Sequence, residues 1–137
     1  MNRKIFNLFL LIFVSCIFQE VHAQIITRMA GTGTLGYGGD GNQATYAQMR
    51  LPTAIAVDKS GNRVICDKDN NRIRKITPDG LVTTLAGRDS TGSADGPGAN
   101  AQFFDPAGVA VDASDKVYVA NAGNNLLRTI YASGNVR

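Results

Sequence analysis

Four groups of residues have the types and spacing to do chemistry. Gly31, Gly33 and Gly36 fit GxGxxG, a spacing used by loops that cradle a dinucleotide pyrophosphate when a helix follows and aims free backbone NH groups at phosphate. Gly38, Gly39 and Gly41 come next, and each glycine costs a helix about 1 kcal/mol against alanine, so a helix start is disfavoured here. DKDNN from Asp67 has the beginning of a calcium loop, but Arg72 and Pro78 stand where such a loop needs glycine and glutamate. Arg72, Arg74 and Lys75 form the densest basic run, which strand alternation divides between two faces. Cys66 lies between apolar neighbours in RVICD and reads as a core residue.

The amino terminus bounds the compartment. MNRK is followed by the apolar run Ile5 to Phe18 and then by Val21, His22 and Ala23, the three parts of a secretory signal peptide. That run has 14 residues and contains Asn7, against about 20 for a spanning helix, so no stable membrane span is expected. The spacing favours cleavage after Ala23 over lipoprotein processing at Cys16, and the expected location is secreted, periplasmic or cell surface. Without residues 1–23 the chain has 114 residues, with 12 Lys or Arg against 10 Asp and no Glu, His or Trp. A balance so close to neutral does not suggest nucleic acid as a partner. The lack of His and Glu removes the usual general bases and the commonest metal ligand, so no cofactor or metal is expected. One remaining thiol, Cys66, leaves no internal disulfide to stabilise the fold.

The elements that must position these residues come in two copies. A shift of 54 residues lays Pro52–Ile76 on Pro106–Ile130 with nine identities in 25 positions, where ordinary residue usage gives about one or two. The first unit reads as strands at 53–57, 63–67, 72–77 and 81–86, joined by DKSG, KDNN and PDG. Val64 and Cys66 on one face and Ile65 on the other make both faces of the second strand apolar, as in a sheet lying between neighbours. Short antiparallel sheets at this interval, stacked face to face, predict an all-β propeller.

MAGTGTLGYGGDGNQATYAQMRLPTAIAVDKSGN and NNRIRKI, with LAGRDSTGSADGPGANAQFFDPAGVAVD and NNLLR from the second unit, resemble NHL repeats. The resemblance covers residues 25–136 and departs at Asp115, where a glycine such as Gly61 is expected, and at Leu126, opposite Arg72. It implies four-stranded blades, commonly six to a ring. Some members bind proteins or nucleic acid, and others are enzymes. On this reading 24–137 is a partial propeller: a leading outer strand at 25–30, a blade at 52–86 and an incomplete blade at 106–137. Two units do not close a ring of about four to eight blades. The partners expected are therefore further blades of the same polypeptide or other copies of the chain. The glycine-rich stretches read as crossovers between blades, not as a nucleotide site.

Residues repeated in both units are expected to be structural: Asp40/Asp95, Pro52/Pro106, Asp58/Asp112, Asn71/Asn125 and Arg74/Arg128. Positions that differ are the candidates for ligand contact, namely Asp67, Lys68, Asp69 and Arg72, together with Tyr37 on the glycine-rich loop. No catalytic residue is singled out. The expected function is a non-catalytic binding scaffold for a protein or cell-surface ligand. The alternative is part of a gluconolactonase-like or amidating-lyase-like propeller enzyme with its metal ligands in other blades.

Overall fold

A computed structural model describes residues 25–137. The expected leader 1–23, its cleavage point at Ala23 and Cys16 lie outside the described residues. Two antiparallel sheets account for the strands. The first contains β1 (Pro52–Val57), β2 (Arg63–Asp67), β3 (Arg72–Ile76) and β4 (Val82–Gly87), paired in chain order. The second contains β5 (Gly96–Pro97), β6 (Pro106–Val111), β7 (Val117–Asn121), β8 (Leu126–Ile130) and β9 (Asn135–Val136), in the order β5-β9-β8-β7-β6.

The 54-residue shift reappears as register. Ile65 lies opposite Ile55 and Arg74 in the first sheet, and Val119 lies opposite Val109 and Arg128 in the second. Each sheet also carries a register shift just after its first proline, between Pro52 and Ala54 and between Pro106 and Gly108. The first hairpin of each unit is closed by an aspartate. Asp58 Oδ1 accepts from the backbone NH of Ser60 and Asn62, both at 2.9 Å, and Asp112 Oδ1 accepts from Ser114 and Lys116 at 2.8 and 3.0 Å. These bonds favour the ionised carboxylate. For Asp58, burial pushes the pKa up, but the bonds from Asn62 and Ser60 outweigh it and hold the carboxyl below its ordinary value. The turn needs a left-handed residue, and Gly61 (φ 80°) supplies it in the first unit. Asp115 adopts the same conformation (φ 59°) in the second, as short polar side chains can.

Both faces of β2 are covered. Val64 and Cys66, with Ile73 and Ala86, pack against Phe103, Val119, Ile130 and Val136 of the second unit. On the opposite face Ile65, Ile76 and Val82 pack on Ala44 and Ala47, which flank or belong to a single 3-10 turn, Ala44–Tyr46. Each large apolar side chain buried this way contributes about 1.5–3 kcal/mol. Burial also pushes the Cys66 thiol up to about 12, so it stays protonated at neutral pH and acts as an apolar group.

Residues 25–30 correct one expectation. They form no strand, and Ile25 and Ile26 are exposed. As an outer strand they would lie beside the third strand of a blade, and in the two described sheets that place is filled by β4 and β9; the free edge of β4 is taken in turn by the glycine-rich loop, through Gly41 N to Val82 O (2.8 Å) and Val82 N to Asn42 O (3.0 Å). The second unit repeats this cover as β5, which pairs with β9. An exposed strand edge is a template for unwanted pairing, and in both units the loop closes it.

Candidate functional site

The chemistry-bearing residues converge on one buried guanidinium. Arg74, in the middle of β3, has no exposed surface. Its Nη1 donates to Asp67 Oδ2 (3.1 Å) and Gln48 O (3.3 Å), and its Nη2 donates to Asp40 Oδ1 (2.7 Å) and Gly38 O (3.0 Å). Two of these acceptors are loop carbonyls and two are carboxylates. A buried charge is tolerable only when paired and hydrogen-bonded to this degree. The glycine-rich loop is therefore wrapped around an arginine. Gly39 allows the wrap: its φ is 88°, and a Cβ there would lie 2.6 Å from Ala47 Cα.

Asp40 extends the network to the sheet edge. Its Oδ2 accepts from the backbone NH of Thr84 (3.0 Å) and from the Tyr37 hydroxyl (3.2 Å). Partial burial alone would raise its pKa. Hydrogen bonds from Thr84 and Arg74, with the Arg74 charge, outweigh that and hold the carboxyl below its ordinary value.

The five positions read as ligand contacts divide. Asp67 is fully buried and Arg72 is 6% exposed, which corrects both readings, since neither can meet a ligand from solvent. Asp67 Oδ1 accepts from Arg50 N (2.7 Å), and its Oδ2 accepts from Asn70 as well as Arg74. Arg72 stacks on Tyr37 with its guanidinium carbon 3.6 Å from the ring centroid and pairs with Asp89 at 2.7 Å. Tyr37 keeps one open face, but its hydroxyl also lies 3.0 Å from Thr84 Oγ1, so the ring is clamped and not projecting freely.

Lys68 and Asp69 remain at the surface, on the 3-10 turn Lys68–Asn70 between β2 and β3. Asp69 lies 3.4 Å from Arg50, and Lys68 lies 3.8 Å from Asp105. The same turn in the second unit, Ala122–Asn124, carries no charge. This end of the sheet pair therefore has a charged half and a neutral half. Asn71 and Asn125 close the two turns with left-handed backbones (φ 52° and 56°). The Asn71 backbone NH donates to Lys68 O within the turn (2.9 Å), but its side chain reaches out of it. Its Oδ1 accepts from Asp105 N (3.1 Å) and ties the two units together.

The second unit repeats the guanidinium with a weaker set of acceptors. Arg128, 3% exposed, donates to Gln102 O (3.1 Å), Ala94 O (3.3 Å) and the Asp95 carboxylate. Asn121 stands in place of Asp67. Its Oδ1 accepts from Phe104 N (2.8 Å), while its Nδ2 is buried without a partner. Among the described residues no three His, Cys, Asp or Glu side chains are grouped to hold a metal ion, and no helix is long and apolar enough to cross a membrane.

Stacked antiparallel sheets of four and five strands, in register by one repeat and packed through their faces, define propeller-type blades. The NHL repeat family model matches residues 103–129, and the chain is an NHL-repeat protein. NHL repeat-containing protein 2 of Gallus gallus is 38% identical over 81 residues, which cover 58% of this chain and 11% of that protein. NHL repeat-containing protein 3 of Mus musculus is 34% identical over 99 residues, covering 70% and 26%. Two solved structures from Bacteroides thetaiotaomicron are similar. A putative phosphatase has TM-score 0.64 and 27% identity, covering 74% of this chain and 25% of its own. An auxiliary nutrient binding protein has TM-score 0.62 and 26% identity, covering 74% and 27%. The chain thus spans about a quarter or less of the length of these proteins.

Two outcomes follow from the arginine network. Asp67→Ala strands a buried guanidinium and lowers stability by about 3–5 kcal/mol, read as a shifted urea midpoint. Asp67→Asn costs less, because the second unit keeps Arg128 with asparagine at that place; equal losses would contradict this. The Asp40 contribution is complete above the unfolded carboxyl value of about 4 and is lost as pH falls through the lower folded value. The stability gap between the wild type and Asp40→Asn is therefore full at pH 7 and closes below about pH 4. A gap independent of pH would show that the charge is irrelevant.

Proposed function

We propose that this NHL-repeat chain is an extracytoplasmic, non-catalytic binding scaffold, whose ligand face is the loop end carrying Arg50, Lys68, Asp69 and Asp105. The observation that carries this reading is the division of labour among the charged residues. Asp40, Asp67, Arg72 and Arg74 are taken up in pairs of the first unit, while Lys68 and Asp69, which stand where the second unit has Ala122 and Gly123, stay partly exposed in loose pairs with Asp105 and Arg50. Surface pairs of this kind add little stability, and their groups are available to a polar ligand. The similarity to an auxiliary nutrient binding protein supports binding over turnover. The leader-like residues 1–23 support export, and with it a ligand outside the cytoplasm, a protein or a cell-surface molecule. A hydrolytic role for the whole protein is the second reading, favoured by the neighbour named as a putative phosphatase. It requires metal or acid–base groups outside the described residues.

Binding to isolated cell-envelope fractions tests the proposal. The purified chain is expected to bind saturably, and the triple variant Arg50→Ala, Lys68→Ala, Asp69→Ala is expected to bind at least about tenfold more weakly with an unchanged Tm, the group sizes of rim charges allowing this. Equal binding by the triple variant would reject the loop end. Metal-dependent hydrolysis of p-nitrophenyl phosphate by the purified chain would replace the scaffold reading with the hydrolytic one.

A further inference from the structure

Charges of opposite sign line one cavity in the seam between the two blades. The cavity holds about 240 Å³ and lies beside the Asp58 turn, at the end of the sheets opposite the Lys68–Asn70 turn. Val64 and Leu85 of the first unit and Val117 and Ile130 of the second form its apolar wall. Both sides therefore belong to described units, and the outer faces of the pair play no part. Lys75 enters from β3, opposite Val64 in the register. It is half-buried and forms no ion pair with another described residue. Asp115 enters from the turn between β6 and β7, where Lys59 of the first unit holds its Oδ2 at 2.9 Å while its Oδ1 is enclosed without a partner. The last torsion of an aspartate is soft, so a turn of the carboxyl brings its unfilled acceptor to the cavity. Asp58 also lines the wall, but its oxygens are taken by the NH groups of Ser60 and Asn62 and by the Asn62 amide at 2.7 Å. The 54-residue shift puts Thr129 at the place of Lys75 and Gly61 at that of Asp115, so the plan of the blade requires neither charge.

We propose that this seam binds a small zwitterion, an α-amino acid with an aliphatic side chain, its carboxylate on the Lys75 ammonium, its ammonium on Asp115 and its side chain against the apolar wall. Lys59 and Lys75 balance Asp58 and Asp115. An ion of either sign would bring an unpaired charge into the seam, and a zwitterion does not. The apolar wall favours an aliphatic group over a sugar, whose hydroxyls would be left unpaired against it. Pockets for drug-sized ligands begin at about 300 Å³, so this smaller cavity suits a single amino acid and not a peptide. The site stands at the other end of the sheets from the ligand face proposed above and does not depend on it.

Titration of L-leucine into the isotope-labelled 137-residue chain, followed through the amide signals of Asn62, Asp115 and Gly134, tests the proposal. Saturable shifts with a Kd of about 1 mM or tighter are expected. Leucinol, which lacks the carboxylate, and isocaproate, which lacks the ammonium, are each expected to bind at least about tenfold more weakly. Asp115→Gly restores the residue that closes the first unit's turn and so keeps the fold. It is expected to lose affinity for L-leucine by at least about tenfold, as is Lys75→Met. The Arg50→Ala, Lys68→Ala, Asp69→Ala variant is expected to bind L-leucine as the wild type does, so the two proposals fail separately. No saturable shift at these amides, or unchanged affinity in Asp115→Gly, would overturn the proposal. Isocaproate binding as tightly as leucine would also overturn it, leaving an anion site at Lys75 alone.

Discussion

The structure depends on one costly act, the burial of a guanidinium at the centre of β3. Removing a charge from water costs several kcal/mol unless nearly all its donors find acceptors. Arg74 meets most of that demand with two carboxylates and two backbone carbonyls at its two terminal nitrogens, while its Nε is buried without a partner. The carbonyls belong to Gly38 and Gln48 at the two limbs of the glycine-rich loop, so the arginine fixes where both limbs must lie. With the limbs fixed, Ala44 and Ala47 cover one face of the sheet and Asn42 covers the edge of β4. A local electrostatic requirement thus sets the burial of a whole blade.

The same requirement occupies several residues whose types and spacing could do chemistry. At the start of the glycine spacing that resembles a phosphate cradle, the NH groups of Gly31 and Thr32 donate to Ala44 O and Ala47 O. Asp40 and Asp67 are acceptors for Arg74, and Tyr37 supports Asp40 while stacking on Arg72. Variation between units reaches the network itself, with Asn121 for Asp67 and Leu126 for Arg72, and also the turn beside it. Lys68 and Asp69 stand where the second unit has Ala122 and Gly123, and Gly123 leaves room for Phe104, whose ring a Cβ there would meet at 2.6 Å.

Much of the fold was legible because period and repetition carry it. Alternation of Val64, Ile65 and Cys66 marked a strand buried on both faces, and the 54-residue identity marked two stacked units, as the shared register records. The aspartate turns were legible as well, since their bonds are local in sequence. What escaped the sequence was long-range. Asp67 looks like the start of a polar surface loop because its partners, Arg50 N and Arg74, are distant in the chain. Residues 25–30 have strand composition, but an outer strand pairs only beside the third strand of a blade, and in both described sheets that place is filled by β4 or β9. Leu51 and Asp105 take left-handed backbones just before Pro52 and Pro106 (φ 52° and 50°). No composition rule favours leucine there, and only the repetition of the two positions carries any signal of it.

Hydrogen exchange on Arg74→Lys tests the central claim most directly. Lysine keeps the charge but lacks the planar fork that reaches four acceptors. The account predicts that the amides of Gly41, Ala44 and Thr84, which lock the loop to the sheet, lose their protection while Ile65 in β2 keeps its own. Unchanged protection at Gly41, Ala44 and Thr84 would mean that the loop holds its shape without the arginine and would contradict the account.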